Sequence, residues 1–340
     1  MNQSQDKIVL SHGNGGRMMH ELISGMFLKY FGNTILNEQS DSAILPVNSP
    51  FIAFTTDSFV IDPIFFPGGN IGKLAVCGTV NDLAVSGAEP RYISVSFILE
   101  EGFPLNDLER IVKSLSDEAK KAGVTIATGD TKVVNKGKCD KLFINTDGIG
   151  MFSQELKMAD KMRQIKPGDT IIINGSIGDH GMAVMNARES FHFKTEVQSD
   201  CASLNGLIKC VLSESTSVKF MRDPTRGGVA TVLNELVDKI NLGIDIDETA
   251  LPVSKGVKAL CELLGFDPLY IANEGKVVMV VDEHESEHVL SILKKHELGK
   301  EAAIIGRVVD NHPGKVVLKS VTGGTRIVDM LTGDQLPRIC

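Results

Sequence analysis

Short dense apolar runs alternate along this chain with apolar stripes at helical spacing, and the alternation occurs in both halves. In the first half, Phe51-Ile-Ala-Phe-Thr-Thr56, Tyr92-Ile-Ser-Val-Ser-Phe-Ile-Leu99, Val124-Thr-Ile-Ala-Thr128 and Leu142-Phe-Ile-Asn-Thr146 are rich in β-branched and aromatic residues and predict strands. Between them, residues 71–85 read as a helix of small apolar residues able to lie tight against a sheet, and residues 105–122 as an amphipathic helix. Upstream, Met18, Leu22, Ile23, Met26 and Phe27 recur at helical spacing, after the run Ile8-Val-Leu10 and the loop Ser11-His-Gly-Asn-Gly-Gly-Arg17. Strands alternating with helices predict an α+β (α/β) sheet domain over residues 1–152.

Residues 153–166 are polar and read as a connector, after which Pro167-Gly-Asp169 turns into Thr170-Ile-Ile-Ile-Asn174 and a second domain, residues 153–332. The layout recurs there. Gly175-Ser-Ile-Gly-Asp-His-Gly181 feeds a helix over 182–188, and the run 218–222 leads through Asp223-Pro-Thr-Arg-Gly-Gly228 to a helix over 229–237. Further strands are predicted at 276–281, 303–309, 315–319 and 325–328. Residues 333–340 then form a short mobile tail: Gly333-Asp334 free the backbone, Pro337 stiffens it, and the chain ends on Cys340.

Composition narrows the function. With 340 residues and 42% hydrophobic content the chain can bury a sizeable core in about two domains. A net charge of -8 without a basic tract speaks against nucleic acid or an anionic membrane surface as a partner. The polar start and the lack of a long apolar run predict a cytoplasmic protein. Six cysteines without a C-x-x-C pair give no support to a zinc ribbon or a disulfide framework.

Candidate chemistry collects at the loops and strand ends. Gly13, Gly15 and Gly16 precede a helix, so the loop is either a phosphate cradle or a plain tight turn. Asp41, Asp57, Asp82 and Asp130, with Gly129, Thr131 and Lys132 beside the last, are an inventory for phosphate held through magnesium, since hard cations take oxygen ligands. Asp223 reads either as a cation ligand or as a helix cap, while Thr225, Arg226, Gly227 and Gly228 can bind an anion at the start of the next helix. Glu274 stands between Asn273 and Gly275, next to apolar neighbours. Buried, it becomes a usable base near neutral pH; otherwise it is a surface turn. His180 keeps a reserve role as an acid or base. His284-Glu-Ser-Glu-His288 matches a zinc pattern, but it lies on the wet face of an amphipathic helix without a third ligand at a recognised spacing, and is rejected. Cys340 is either a reactive thiol on a short arm or an incidental terminus.

Phe66-Pro-Gly-Gly69, Gly78-Thr-Val-Asn-Asp82, Thr128-Gly-Asp-Thr-Lys132, Gly178-Asp-His-Gly181, Asp223-Pro-Thr-Arg-Gly-Gly228, Ala272-Asn-Glu-Gly275 and the ending Pro337-Arg-Ile-Cys340 resemble the HypE family of hydrogenase maturation factors over the whole chain. The first of these motifs are shared with the wider superfamily of aminoimidazole ribonucleotide synthetase (PurM-like), selenophosphate synthetase and thiamine-monophosphate kinase, whereas the ending Pro337-Arg-Ile-Cys340 is specific to the HypE resemblance. The glycine loop has no cysteine, unlike that of many selenophosphate synthetases. The resemblance implies a two-domain PurM-like architecture, with an N-terminal sheet domain that forms a barrel in a homodimer, a C-terminal α/β sandwich and a tail. It implies an ATP-dependent carbamoyl dehydratase whose substrate is its own Cys340, carbamoylated by HypF and passing cyanide to the iron of HypC–HypD. By the same carry-over, Asp41, Asp82, Asp130 and Asp223 would hold Mg2+. Asp57, Asn81, the glycines of residues 11–17, Gly129, Thr131 and residues 225–228 would hold ATP, Lys132 would steady the reacting oxygen, and Glu274 would take the proton. A small-molecule ligase or kinase would tolerate Cys340→Ala, and a nucleotide-sensing adaptor would never change the mass of its tail.

Overall fold

The structure is a computed structural model that describes residues 6–40, 42–152, 158–188, 195–331, 333 and 338–340. Strands β1 (Ile52–Phe59), β2 (Glu89–Glu100), β3 (Thr125–Val134) and β4 (Leu142–Met151) form one sheet in the order β1-β4-β2-β3. Its pairs are antiparallel except β2 with β3. One face is covered by helices α1 (Ile71–Val85) and α2 (Leu105–Ala122). In β2 the pleat sends Ile93, Val95, Phe97 and Leu99 into that core and Ser94, Ser96 and Ile98 to the other face. Burying such side chains is worth about 1.5–3 kcal/mol each.

The two helices differ as their sequences require. On α2 only the stripe Leu108, Ile111, Val112 and Leu115 is fully buried, and the helix stops at Gly123, whose φ of 72° suits a residue without a Cβ. By contrast α1 is buried on nearly every side, because it lies between its own sheet and the second half of the chain. Only small residues allow that approach: a methyl at Gly72 would stand 2.4 Å from the Ile111 carbonyl oxygen.

The second sheet runs β11 (Thr325–Val328), β10 (Val316–Lys319), β7 (Gly243–Asp247), β9 (Ala303–Val309), β5 (Thr170–Ile173), β8 (Val278–Val281) and β6 (Val218–Arg222). Helices α3 (Asp179–Ala187), α4 (Asn205–Glu214), α5 (Gly228–Ile240), α6 (Lys255–Leu264) and α7 (Ser286–Lys295) accompany it, with separate apolar cores on its two faces. None of the described helices is long and apolar enough to cross a membrane.

Two strand readings change. Asp57 and the Thr128–Lys132 motif, expected just beyond strand ends, lie inside β1 and β3. Both are edge strands with one uncovered face, and polar residues alternating onto that face imitate a loop in the sequence. The register places Asp130 opposite Ser96 and Lys132 opposite Ile98, hence on the uncovered face, whereas Asp57 shares the helix-covered face with Thr146. That uncovered face also carries Phe54, which is 66% exposed, together with Ile52 and Ile98.

Candidate functional site

The expected site residues separate into an interior group and an edge group. The interior group forms where β1, α1, residues 223–228, residues 271–275 and the chain end meet. Thr79 of α1 donates a hydrogen bond to Asp57 (3.2 Å), its hydroxyl lies 2.5 Å from that of Thr146, and the Thr55 hydroxyl donates to Asp82 (2.7 Å). Burial, reinforced by the charge of Asp82, pushes the Asp57 carboxyl up to about 6. The same two causes raise Asp223 to about 7.

Loop 223–228 is shaped by its glycines. Gly227 and Gly228 have φ of 74° and 60°, and a methyl on Gly228 would lie 2.5 Å from the Leu269 carbonyl oxygen. Gly227, not Asp223, caps α5, without a side-chain hydrogen bond to the helix amides. The α5 amides that follow Gly228 thus have no capping side chain and remain for another acceptor, and Asp223 is left to the acidic cluster. Thr225 accepts the Gly228 amide on its carbonyl, Asn273 bonds the Pro224 carbonyl through both backbone and side chain, and Arg226 reaches outward.

Glu274 is buried, 3% exposed, so it is not a surface turn. Its backbone amide and that of Gly275 donate to Asp200 (3.1 and 3.2 Å), which Lys276 pairs at 3.1 Å. Burial, then the charges of Asp223 and Asp200, raise the Glu274 carboxyl well above its ordinary value. Asn81, expected beside the nucleotide, already has protein partners. It is buried, donates to the Ala202 and Glu274 carbonyls and accepts from the Leu204 amide, so its polar atoms are spent on the fold.

The chain end is seated in this group. Ile339 is 3% exposed and joins the first core. Val60 N–H donates to the Cys340 carbonyl (3.1 Å), Asp62 N–H to that of Arg338 (3.3 Å), and the Arg338 guanidinium pairs with Asp140. Burial first and then Glu274 push the Cys340 thiol up to about 12, with Arg226 and Asp57 also acting on it. The arm expected to be mobile is therefore docked over its last three residues, with Arg338 paired to Asp140.

The edge group lies across the sheet. Gly13 packs so closely on β3 that a methyl there would meet the Val133 amide at 2.5 Å, whereas Gly15, with φ of 79°, has open space around it and Gly16 lies beside the Asn14 side chain. Asp130 accepts from the Thr131 amide (2.8 Å) and from Lys132 (3.1 Å), both charged side chains being exposed while Thr131 is buried. Gly129 lets β3 approach the Val95 carbonyl, and a cavity lined by Phe27, Phe31, Phe97, Gly129 and Thr131 opens beside it.

Asp41 lies outside the described residues. Among the described residues no three His, Cys, Asp or Glu side chains converge as a ready-made metal centre, and the zinc-like pair His284 and His288 is exposed. Sequence reasoning misses Ser199 and Asp200, since they sit in a stretch with neither period nor motif, yet they support His180 and the Glu274 loop.

Residues 39–152 match the model of the AIR synthase related protein N-terminal domain, and residues 166–319 that of the C-terminal domain. The chain is 51% identical over 335 residues to the carbamoyl dehydratase HypE of Rhizobium leguminosarum bv. viciae, covering 98% of this chain and 95% of that protein. It superposes on a crystal structure of the hydrogenase maturation protein HypE in complex with ATP at a TM-score of 0.93, with 46% identity and 98% and 99% of the two chains covered. A HypE–HypF complex structure matches at a TM-score of 0.79, with 49% identity and 91% and 99% covered.

Proposed function

The chain belongs to the HypE family of carbamoyl dehydratases of hydrogenase maturation, and on that premise we propose that it dehydrates an S-carboxamide on its own Cys340 to a thiocyanate. One observation carries this reading: the terminal cysteine is seated within charge reach of Glu274, Arg226 and Asp57. An amide oxygen is a poor leaving group. Transfer of the ATP γ-phosphoryl to that oxygen releases ADP and one N–H proton, and loss of the second N–H proton then expels phosphate and leaves S–C≡N.

Glu274 is the base for the N–H proton, since its raised carboxyl is a stronger base than an ordinary glutamate. Arg226 and the open N-terminus of α5 face the phosphoryl group. Asp57, Asp82 and Asp223 are hard oxygen donors, two of them raised by burial and by the charge of Asp82, and together with phosphate oxygens of ATP they would hold a magnesium ion. Asp41 joins them by carry-over. Bound there, the ion would neutralise phosphate charge.

Lys132 and Asp130 face away from this cluster within one chain. A homodimer explains their place. Among the described residues both β1 and β3 are unpaired sheet edges, and Phe54, Ile52 and Ile98 make the uncovered face apolar. Two copies joined there would set β3 of one, with its glycine loop, beside β1 of the other and complete the ATP site. HypF is the proposed carbamoyl donor, from the HypE–HypF relative, and HypC–HypD the cyanide acceptor. The docked thiol, raised to about 12, is a poor nucleophile, so carbamoylation acts on the undocked end. A reaction consuming ATP belongs in the cytoplasm.

The test is the intact mass after incubation with HypF, carbamoyl phosphate and Mg-ATP, against the same reaction on Cys340→Ala. Gain of a carbamoyl group followed by loss of one water, absent in the variant, is the expected result. An unchanged mass with HypF proven active would overturn the reading.

A further inference from the structure

His180 takes no part in the chemistry above, yet it is fully buried against the chain end. Its Nε2 lies 2.8 Å from the Ile339 carbonyl oxygen and its Nδ1 lies 2.8 Å from Ser199 Oγ. A carbonyl only accepts, so Nε2 carries a proton. Burial pushes the imidazole down from its ordinary value, against the opposing charge of Asp200, and keeps the ring neutral. Nδ1 must then accept from the Ser199 hydroxyl. Ser199 Oγ in turn accepts from the Cys201 amide (3.1 Å), which leaves its own proton for the ring. Phe66 stands edge-on at 5.4 Å, so tautomer and ring orientation are both fixed.

We propose that His180 is the positioning residue for the chain end: its Nε2–H grips the Ile339 carbonyl, one residue before the reacting sulfur, and so sets where Cys340 stands during dehydration. The step from grip to dehydration rests on the function proposed above; the grip itself does not. The last three carbonyls are each held by a different donor, Asp62 N–H and Arg188 on Arg338, His180 on Ile339 and Val60 N–H on Cys340. The two amides belong to the segment after β1 and cannot be altered by substitution without proline. Of the two side-chain donors, Arg188 holds the carbonyl of Arg338 and His180 that of Ile339, so His180 is the one next to the reacting residue. Its partner is a main-chain atom, so it holds the peptide path rather than a particular side chain, and the buried Ile339 side chain supplies the apolar anchor.

Alkylation of the full-length protein by iodoacetamide, without ATP or HypF, reads the grip directly when Cys340 is compared with the exposed Cys210 by peptide mass spectrometry. In the parent protein Cys340 reacts more slowly than Cys210. In His180→Leu the Cys340 to Cys210 ratio rises about tenfold, the worth of one buried hydrogen bond. Dehydration of carbamoylated Cys340 falls by about the same factor while the KM for ATP stays put. Restoring a donor at the Nε2 position with His180→Gln recovers most of both, and Ser199→Ala, which frees the tautomer, falls between. Cys340 staying protected in His180→Leu would overturn the proposal. So would equal loss in the Leu and Gln variants, by unfolding or otherwise, which would assign His180 to packing alone. Protection changes without any dehydration in the parent protein would sink the proposed function and leave the grip standing.

Discussion

The interior and edge groups use the same residue types to different ends. Around Glu274 the carboxylates are crowded, those of Glu274, Asp57 and Asp223 are raised, and the loops that carry them are stitched by Asn81, Asn273 and Asp200. At the edge, Asp130 and Lys132 neutralise each other in solvent on an open face. Burial at the interior stores unfavourable charge that a cation, a phosphate or a proton transfer can relieve, whereas solvent has already relieved the edge. A single chain thus holds a strained half-site and a relaxed one on opposite faces of one sheet. Their difference is what a second copy would exploit.

The largest expected effect separates the groups chemically. Glu274→Gln keeps the shape and the hydrogen-bonded loop but removes the base, so dehydration should fall about 100- to 10,000-fold with ATP still bound, measured by intact mass over time. If dehydration continues, the base lies elsewhere. The next effect asks whether the halves work across two copies. Lys132→Ala and Cys340→Ala chains, each inactive alone, are mixed after dissociation and reassociated. If Lys132 serves the partner copy, half of the dimers are mixed and each has one complete site, so about a quarter of the parent activity returns. If it serves its own chain, none does.

How legible these groups were depends on where each signal lies. The amphipathic pattern gave α2 its bounds, and the small residues of α1 announced tight packing on a sheet. The T-G-D-T-K, D-P-T-R-G-G and A-N-E-G motifs named the loops but not their partition. Partition depends on register, and a period-2 polar pattern on an uncovered edge strand reads as a loop until the neighbouring strand is known. Only the family motif assigns Asn81 to the nucleotide, and the fold gives its amide partners from residues 202–204 and 274, far away in sequence. Ser199 and Asp200 act only through space, so nothing local marked them.

Stability should divide the groups as sharply as activity. Lys276→Met leaves the buried Asp200 without its counter-charge and should cost about 3–5 kcal/mol in denaturant unfolding. Lys132→Ala at the exposed pair should cost under about 1 kcal/mol. The pH dependence follows with a definite sign. Burial alone would raise Asp200, but the charge of Lys276 and the Glu274 amide outweigh it and hold the carboxyl below its ordinary value. A lowered carboxyl stabilises the fold above its unfolded value and loses that contribution as the pH falls below about 4. Acid should therefore erode the parent protein over that range, and less so Lys276→Met, whose Asp200 is no longer held down.

A change in stability smaller than that of Lys276→Met decides what the glycine loop is for. Gly15 has φ of 79° and open space where a methyl would go. Gly15→Ala therefore meets no protein atom, and its cost is the backbone penalty of about 1–2 kcal/mol for a left-handed residue. A plain tight turn would show that loss in thermal unfolding and nothing else. A phosphate cradle would show more, because the new methyl stands where an anion would approach the loop amides. ATP affinity by calorimetry should then fall by more than the stability change accounts for, and it should fall only in the dimer if the loop serves the neighbouring copy. An unchanged affinity would return residues 11–17 to an ordinary turn and leave the interior group to bind the nucleotide alone.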